Sequence, residues 1–459
     1  MRKVICLMAI VFALTNFIPT ASMWSYGVEI APPEIAAESA ILMDMHTGNM
    51  VFEKNADVPM FPASTTKMMT AILAVEHLDL SQNITIDKET PFTEGARIYL
   101  EEGEVVTGEQ LLRSMLIASA NDSAVALAKA VAGDVPSFAK MMNERAKKLG
   151  AKNTNFVNPN GLHEEAHVTT ARDLALIGQK LMSNDLLREI VGTYRYVFPA
   201  TNKKEERFLY NTNRLLYDDK TTVTVNGKTR STLYEGAMGV KTGYTPEAKS
   251  CLVSAAKRGN TELLAVVLKS SDGGRFEDSI ALLDYGFHLV KSVKVMSKGT
   301  DLGEAKVKGG SVNRVKVIAA KDAVATLPKE ASTDMVKTKV VFNKDIQAPI
   351  KENQKLGEVR IYEGDKRIGT VDALAVSAVP KGGILSVFGI PDKNAKIIGI
   401  VVASLLGIFV VLLVAYILLK RRQIRRKKKR KAEKAKREKR AQEHAWKEWS
   451  GEYDKRKKL

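Results

Sequence analysis

The run Pro62-Ala63-Ser64-Thr65-Thr66-Lys67-Met68-Met69-Thr70-Ala71 sets the reading of the whole chain. It opens a helical stretch, Thr65 to Leu78, with a serine at its mouth and a lysine three residues on. One helical turn apart, the two side chains face the same way. A serine hydroxyl is a poor nucleophile until a neighbouring base takes its proton. An amine can take it only when burial or a second cation lowers its pKa. A helix N-terminus adds N–H dipoles for a developing oxyanion. By itself a serine three residues before a lysine is weak evidence, because many helices carry one by chance.

Two further motifs follow. Ser119-Ala120-Asn121 interrupts an otherwise apolar helical stretch, Gly108–Ala132. Polar groups there cost free energy unless they are paired. They mark a satisfied buried network or a helix kink, or else a proton-relaying hydroxyl beside a substrate-binding amide. Lys241-Thr242-Gly243 leads into strands. There glycine permits close backbone approach, and lysine with threonine can hold a carboxylate. In this order, with starts 55 and then 122 positions apart, coincidence is a poor explanation. A closely related set, with Ser-Asp-Asn as its second part, belongs to serine enzymes that are acylated by penicillin.

Around these motifs the sequence predicts an α/β (α+β) catalytic domain at 35–290. Ser39–Met45 and Met50–Lys54 flank a turn as a hairpin, and Ser250–Lys257 and Thr261–Lys269 flank another at Arg258-Gly259-Asn260. Thr170-Ala171-Arg172-Asp173 reads as a capping box for a helix reaching about Leu181, and Asp278–Val290 as a last helix. One sheet covered by helices accounts for that order. Short alternating strands at Val312–Ala319, Val336–Phe342, Val359–Tyr362 and Arg367–Val376 predict a separate all-β domain at 294–380. A glycine-bearing linker, 381–396, comes next.

The formal charge of +18 is unevenly placed. Residues 420–459 hold 20 Lys+Arg against 6 Asp+Glu, a net +14, and Arg2 and Lys3 add +2. The rest is nearly balanced, which argues against a nucleic-acid-binding body. Two cysteines exclude a disulfide framework or a four-cysteine zinc site. Residues 1–22, basic then apolar then small, read as a secretory signal peptide. Ile397–Leu419 is 23 residues without a charge, long enough to cross a bilayer. The Lys420-Arg421-Arg422 that follows marks its cytoplasmic end. A single-pass membrane protein results, with its catalytic domain outside and residues 420–459 as a basic cytoplasmic tail. For that tail, with Trp446 and Trp449, a role as topology determinant weighs against binding of anionic lipid or an acidic partner.

The motifs and their flanks resemble the low-molecular-weight penicillin-binding proteins, the serine-type D-alanyl-D-alanine carboxypeptidases. Ser119-Ala120-Asn121-Asp122-Ser123-Ala124, Gly239-Val240-Lys241-Thr242-Gly243-Tyr244-Thr245, Asn158-Pro159-Asn160-Gly161-Leu162 and Asp284-Tyr285-Gly286-Phe287 carry the likeness with the opening run. It implies a β-lactamase/transpeptidase-like catalytic fold that removes the terminal D-alanine of peptidoglycan pentapeptides and takes no cofactor or metal. Cell-wall biogenesis and cell shape are its setting, and β-lactams are covalent inhibitors. The resemblance implies Ser64 as nucleophile, Lys67 as base and Ser119 as proton relay. Asn121 would bind the peptide amide, while Lys241 and Thr242 in the Lys-Thr-Gly243 motif would hold the carboxylate. The N–H groups of Ser64 and Tyr244 would form the oxyanion hole. Arg275 is a further carboxylate candidate, with a solvated surface arginine as the equal alternative.

Competing signals carry less weight. His163-Glu164-Glu165-Ala166-His167 matches a zinc-protease pattern, but its flanks predict a loop rather than the helix that pattern needs. His46, His77 and His288 read as turn, helix-end and helix-surface residues, and Cys251 as a small buried residue. A β-lactamase-like hydrolase would need a deacylating glutamate, for which the chain offers no convincing equivalent. A non-enzymatic β-lactam sensor would be acylated without releasing D-alanine.

Overall fold

The computed structural model describes residues 31–271 and 273–456, so the expected signal peptide lies outside the described residues. The chain divides into two compact units: one comprises the residues up to Lys298 with 321–339 and 359–371, the other 299–320, 340–358 and 372 onward.

The first unit is built on a five-stranded antiparallel sheet. Its strands are β1 (Ser39–Asp44), β2 (Met50–Lys54), β3 (Ala237–Thr245), β4 (Lys249–Arg258) and β5 (Thr261–Ser270), in the order β2-β1-β5-β4-β3. The expected hairpins pair as β1 with β2 and β4 with β5. Both faces are covered, and the strands show why. In β1, Ile41 and Met43 point into one apolar cluster while Ala40 and Leu42 point into another. Period-two alternation of apolar residues on both faces makes a sheet buried on both sides.

Six helices form the first cluster: α1 (Lys67–His77), α2 (Gly108–Ile117), α3 (Asn121–Ala132), α4 (Val135–Leu149), α5 (Ala171–Met182) and α6 (Asp185–Gly192). Their starts are chemically marked. Thr107 and Gln110 form a reciprocal capping box, and Asp134, Thr170 and Asn184 each accept a backbone N–H in the first turn. On the opposite face lies α7 (Gly274–Leu289). A Cβ at Gly286 would fall 2.6 Å from both Leu42 and Leu263, so glycine sets how closely α7 approaches the sheet.

The helix expected over Gly108–Ala132 is in fact two. Ser119 has φ +60° and Ala120 is extended, while the Asn121 N–H donates to the Ala96 carbonyl at 2.7 Å. This break turns Ser119 and Asn121 out of the apolar stripe. Helices α4 and α6 and the hairpins Arg195–Phe198/Arg207–Tyr210 and Thr222–Val225/Lys228–Ser231 have no counterpart in the expectation. The last helix starts four residues earlier than expected, at Gly274.

Beyond α7, β6 (Val290–Met296) pairs with β9 (Ala323–Pro328). A second five-stranded sheet contains β7 (Asp301–Lys306), β8 (Arg314–Ala319), β10 (Val336–Phe342), β11 (Lys355–Glu363) and β12 (Lys366–Ala375), in the order β7-β8-β12-β11-β10. The 65-residue helix α8 (Asp392–Arg456) completes the chain. Its apolar part has a mean hydropathy of 3.2 with none of it buried, long and apolar enough to cross a membrane.

Candidate active site

The three motifs arrive from different elements. Ser64 lies in a 3-10 turn, Ala63–Thr66, that runs into α1. Thr65 holds this turn, its N–H and hydroxyl both donating to the Pro62 carbonyl. Ser119 and Asn121 come from the α2–α3 break. Lys241, Thr242 and Gly243 lie in β3, which ends the sheet beside the turn. A Cβ at Gly243 would meet the Pro62 carbonyl at 3.0 Å and the Ser64 nitrogen at 3.1 Å. Glycine therefore allows β3 to lie against the turn that carries the serine.

Ser64, Ser119, Asn121, Thr242, Gly243, Tyr244 and Arg275 line one cavity of about 280 Å³. Lys67 and Lys241 lie behind its wall, 0% and 1% exposed. The Lys67 amine contacts three oxygens: Ser64 Oγ at 2.8 Å, Asn121 Oδ1 at 2.6 Å and the Asn160 carbonyl at 2.7 Å. Burial, reinforced by the Lys241 charge, pushes its pKa well below the ordinary lysine value, while Asp122 opposes the shift. Burial and then the Arg275 charge bring Lys241 down to about 7. A neutral amine has two hydrogens and one lone pair. The Asn160 carbonyl can only accept, and the Asn121 amide is oriented by its Nδ2 donating to the Glu94 carbonyl at 2.6 Å. A neutral Lys67 would give both hydrogens to these carbonyl oxygens and keep its lone pair for the Ser64 hydroxyl.

Each remaining residue has a definite place. Asn121 uses both ends of its side chain within the protein and braces the lysine. Lys241 Nζ donates to the Thr242 carbonyl at 3.0 Å, and the Thr242 hydroxyl lies 2.6 Å from that of Thr212. Arg275, at the start of α7, donates to the Gly243 carbonyl at 3.0 Å, which joins it to the site rather than to bulk solvent. Tyr244 is 56% exposed at the rim.

Sequence reasoning gave no role to Asn160, Thr212 or Asp122. The run Asn158–Leu162 was a usable signal for the first. Its Gly161, at φ +85°, would place a Cβ 1.9 Å from the Ala63 carbonyl. Asp122 is buried, with a raised pKa caused by burial, and accepts from the N–H groups of Ile98, Leu100 and Ser123. It pins the 96–100 loop to α3. Nothing in the sequence marks Thr212, whose contact with Thr242 exists only in the fold.

His163–His167 is a loop, as its flanks suggested. His167 accepts from the Val157 N–H at Nδ1, and its Nε2 lies 2.9 Å from the Thr66 hydroxyl. His163 instead packs edge-on against Phe61. Both nitrogens of His167 are committed to protein partners. Cys251 is fully buried, and burial pushes its thiol up to about 11.

Comparison with known proteins agrees with this geometry. Residues 27–272 match the family model described as D-alanyl-D-alanine carboxypeptidase, and residues 291–381 the penicillin-binding protein 5 C-terminal domain. The chain is 31% identical to a Bacillus subtilis D-alanyl-D-alanine carboxypeptidase over 84% of its own length and 97% of the relative's. It is 32% identical to the Haemophilus influenzae carboxypeptidase, covering 81% and 92% of the two chains. The crystal structure of penicillin-binding protein 5 from Haemophilus influenzae superposes with a TM-score of 0.58 at 30% identity, over 77% of this chain and all of that one. With the three motifs gathered on one cavity and with this coverage, the chain belongs to the D-alanyl-D-alanine carboxypeptidase family, the serine-type penicillin-binding peptidases.

Proposed function

We propose that Ser64 attacks the carbonyl of the terminal D-Ala-D-Ala bond of a peptidoglycan pentapeptide and carries the acyl group. The single observation that carries this reading is the buried Lys67 amine, 2.8 Å from Ser64 Oγ. As the Oγ–C bond forms, Lys67 takes the hydroxyl proton. The N–H groups of Ser64 and Tyr244 receive the oxyanion. The C–N bond then breaks and the departing D-alanine amine takes a proton delivered through Ser119. Lys241, Thr242 and Arg275 hold its carboxylate. Water next attacks the ester and gives a proton to Lys67, Ser64 leaves with it, and the shortened peptide is released.

Among the described residues no acidic side chain lines the cavity, so none of them matches the loop carboxylate a β-lactamase uses to clear the drug. This favours slow release of β-lactams, which then act as covalent inhibitors. In the same reading, 35–290 is the catalytic domain and 294–380 the β-rich domain, each outside the cell. Residues 397–419 cross the bacterial membrane, and 420–459 form the basic cytoplasmic tail that sets this orientation. Nucleic acid is not a partner.

Incubation with a pentapeptide ending in D-Ala-D-Ala should release D-alanine, and a labelled penicillin should acylate the protein. Ser64→Ala should lose both. Labelling that persists in that variant would remove Ser64 from its role, and acylation without D-alanine release would favour a sensor.

A further inference from the structure

The hairpin Arg195–Phe198/Arg207–Tyr210 presents an unusual outer face. A strand pair with one buried face ordinarily turns polar residues to water. Here the inner residues Phe198 and Leu209 are buried, yet Val197, Phe208 and Tyr210 face outward at 38%, 49% and 49% exposure. Cross-strand pairing sets Val197 opposite Phe208 and Arg195 opposite Tyr210. The Arg195 guanidinium lies over the Phe208 ring at 4.9 Å and near the Tyr210 ring at 6.0 Å. Tyr194, 46% exposed, extends the surface, 5.8 Å from Tyr210 and 4.3 Å from Tyr217 between ring centroids.

The platform is braced from below, and its second strand runs on into the cavity wall. Beneath it the buried Asn211 amide donates to the carbonyls of Val191 and Thr193, both at 3.0 Å, and its N–H donates to Tyr194. Two residues past Tyr210, at most about 7 Å of backbone, Thr212 lines the cavity and meets Thr242.

Its size decides the kind of occupant. Three half-exposed rings offer about 300 Å² of apolar area, well short of the roughly 800 Å² per partner of a stable protein interface. A small set of fixed rings with hydroxyls at the rim suits sugar rings, whose C–H faces are apolar and whose edges are polar. We propose that this face, with Tyr194, Phe208 and Tyr210 as its anchors, docks the amino-sugar strand to which the peptide substrate is attached. The proposal rests on the peptidase reading above and assigns it a polymer subsite.

The test is the full-length protein against the Phe208→Ala/Tyr210→Ala variant, with two readouts. The first is D-alanine release from free pentapeptide and from the same peptide carried on glycan strands. The variant should match the wild type on free peptide, while its KM on the strand-linked substrate rises about tenfold with kcat kept. The second is co-sedimentation with glycan strands stripped of peptide, which the wild type should show and the variant should lose. Equal kinetics on the strand-linked substrate with undiminished sedimentation would overturn the proposal, as would an equal loss on both substrates. A wild type that pulls down stripped strands but releases no D-alanine would instead break the peptidase reading and leave the platform standing.

Discussion

Lys67 Nζ and Asn121 Oδ1 lie 2.6 Å apart and join two motifs separated by 54 residues. The contact aims the lysine. With the Asn160 carbonyl it occupies both hydrogens of the neutral amine and leaves a single direction, toward Ser64, for proton uptake. Asn121 is therefore as much a support for the base as a candidate peptide-binding amide.

Asn121→Asp replaces that acceptor by a carboxylate. A negative charge beside Lys67 favours the ammonium, so at pH 7 the base is held protonated. Acylation by a labelled penicillin should slow about 100-fold, in the range of a lost general base. Raising the pH should restore part of the rate. A rate unchanged at pH 7 would show that the amine is aimed by something else.

The pH profile of kcat/KM separates the two lysines. Its ascending limb reports loss of the Lys67 proton, and its descending limb loss of the Lys241 charge that binds carboxylate. Burial and the Arg275 charge hold Lys241 down to about 7, far below an ordinary lysine. Because the two interact, the limbs belong to the pair. Lys241→Arg keeps the positive charge at all accessible pH, so the alkaline limb should move beyond pH 10. A limb that stays put assigns it to another group.

Gly161→Ala should damage the site through its support. The added Cβ falls 1.9 Å from the Ala63 carbonyl, at φ +85°. Gly133 has the same φ, +85°, but nothing within 4 Å. Gly133→Ala should cost about 1 kcal/mol of backbone strain and keep full acylation. Gly161→Ala should lower the thermal midpoint further and lose acylation, because Ala63 precedes the nucleophile. Equal behaviour of the two variants would contradict this account.

Acid should destabilise the protein through His167. Burial first, and then the His163 and Lys67 charges, hold its pKa at about 4 in the folded state against 6.5 for the free side chain. Between those values the unfolded chain binds the extra proton, so stability present above pH 6.5 is lost as pH falls toward 4. The loss amounts to about 3 kcal/mol at most. His167→Gln should flatten the fall in thermal midpoint between pH 7 and 4, and an identical slope in both proteins would exclude His167 as its source.

Much of the fold was readable because it rests on short-range pattern. Alternation marked β1, β4 and β5, and Thr170 marked the start of α5. The break inside Gly108–Ala132 was legible only as a kink, one of the readings that Ser119-Ala120-Asn121 allowed in a run apolar enough to suggest one helix. What opens it is a long-range bond, Asn121 N–H to the Ala96 carbonyl. Helices α4 and α6 and the two small hairpins lack the strong periodicity that would announce them, although their caps are visible afterwards.

By itself the sequence determined the chemistry: a serine, two lysines and a threonine in an order that chance does not produce, and a charge distribution that places the basic residues beyond an apolar helix. Tertiary structure decided the electrostatics. Lys67 and Lys241, 174 positions apart, are both drawn out of water; burial first, and then the Lys241 charge near Lys67 and the Arg275 charge near Lys241, lower the two pKa values. Spacing along a chain cannot encode that, because burial and proximity exist only after the sheet, the turn and the helix break have come together.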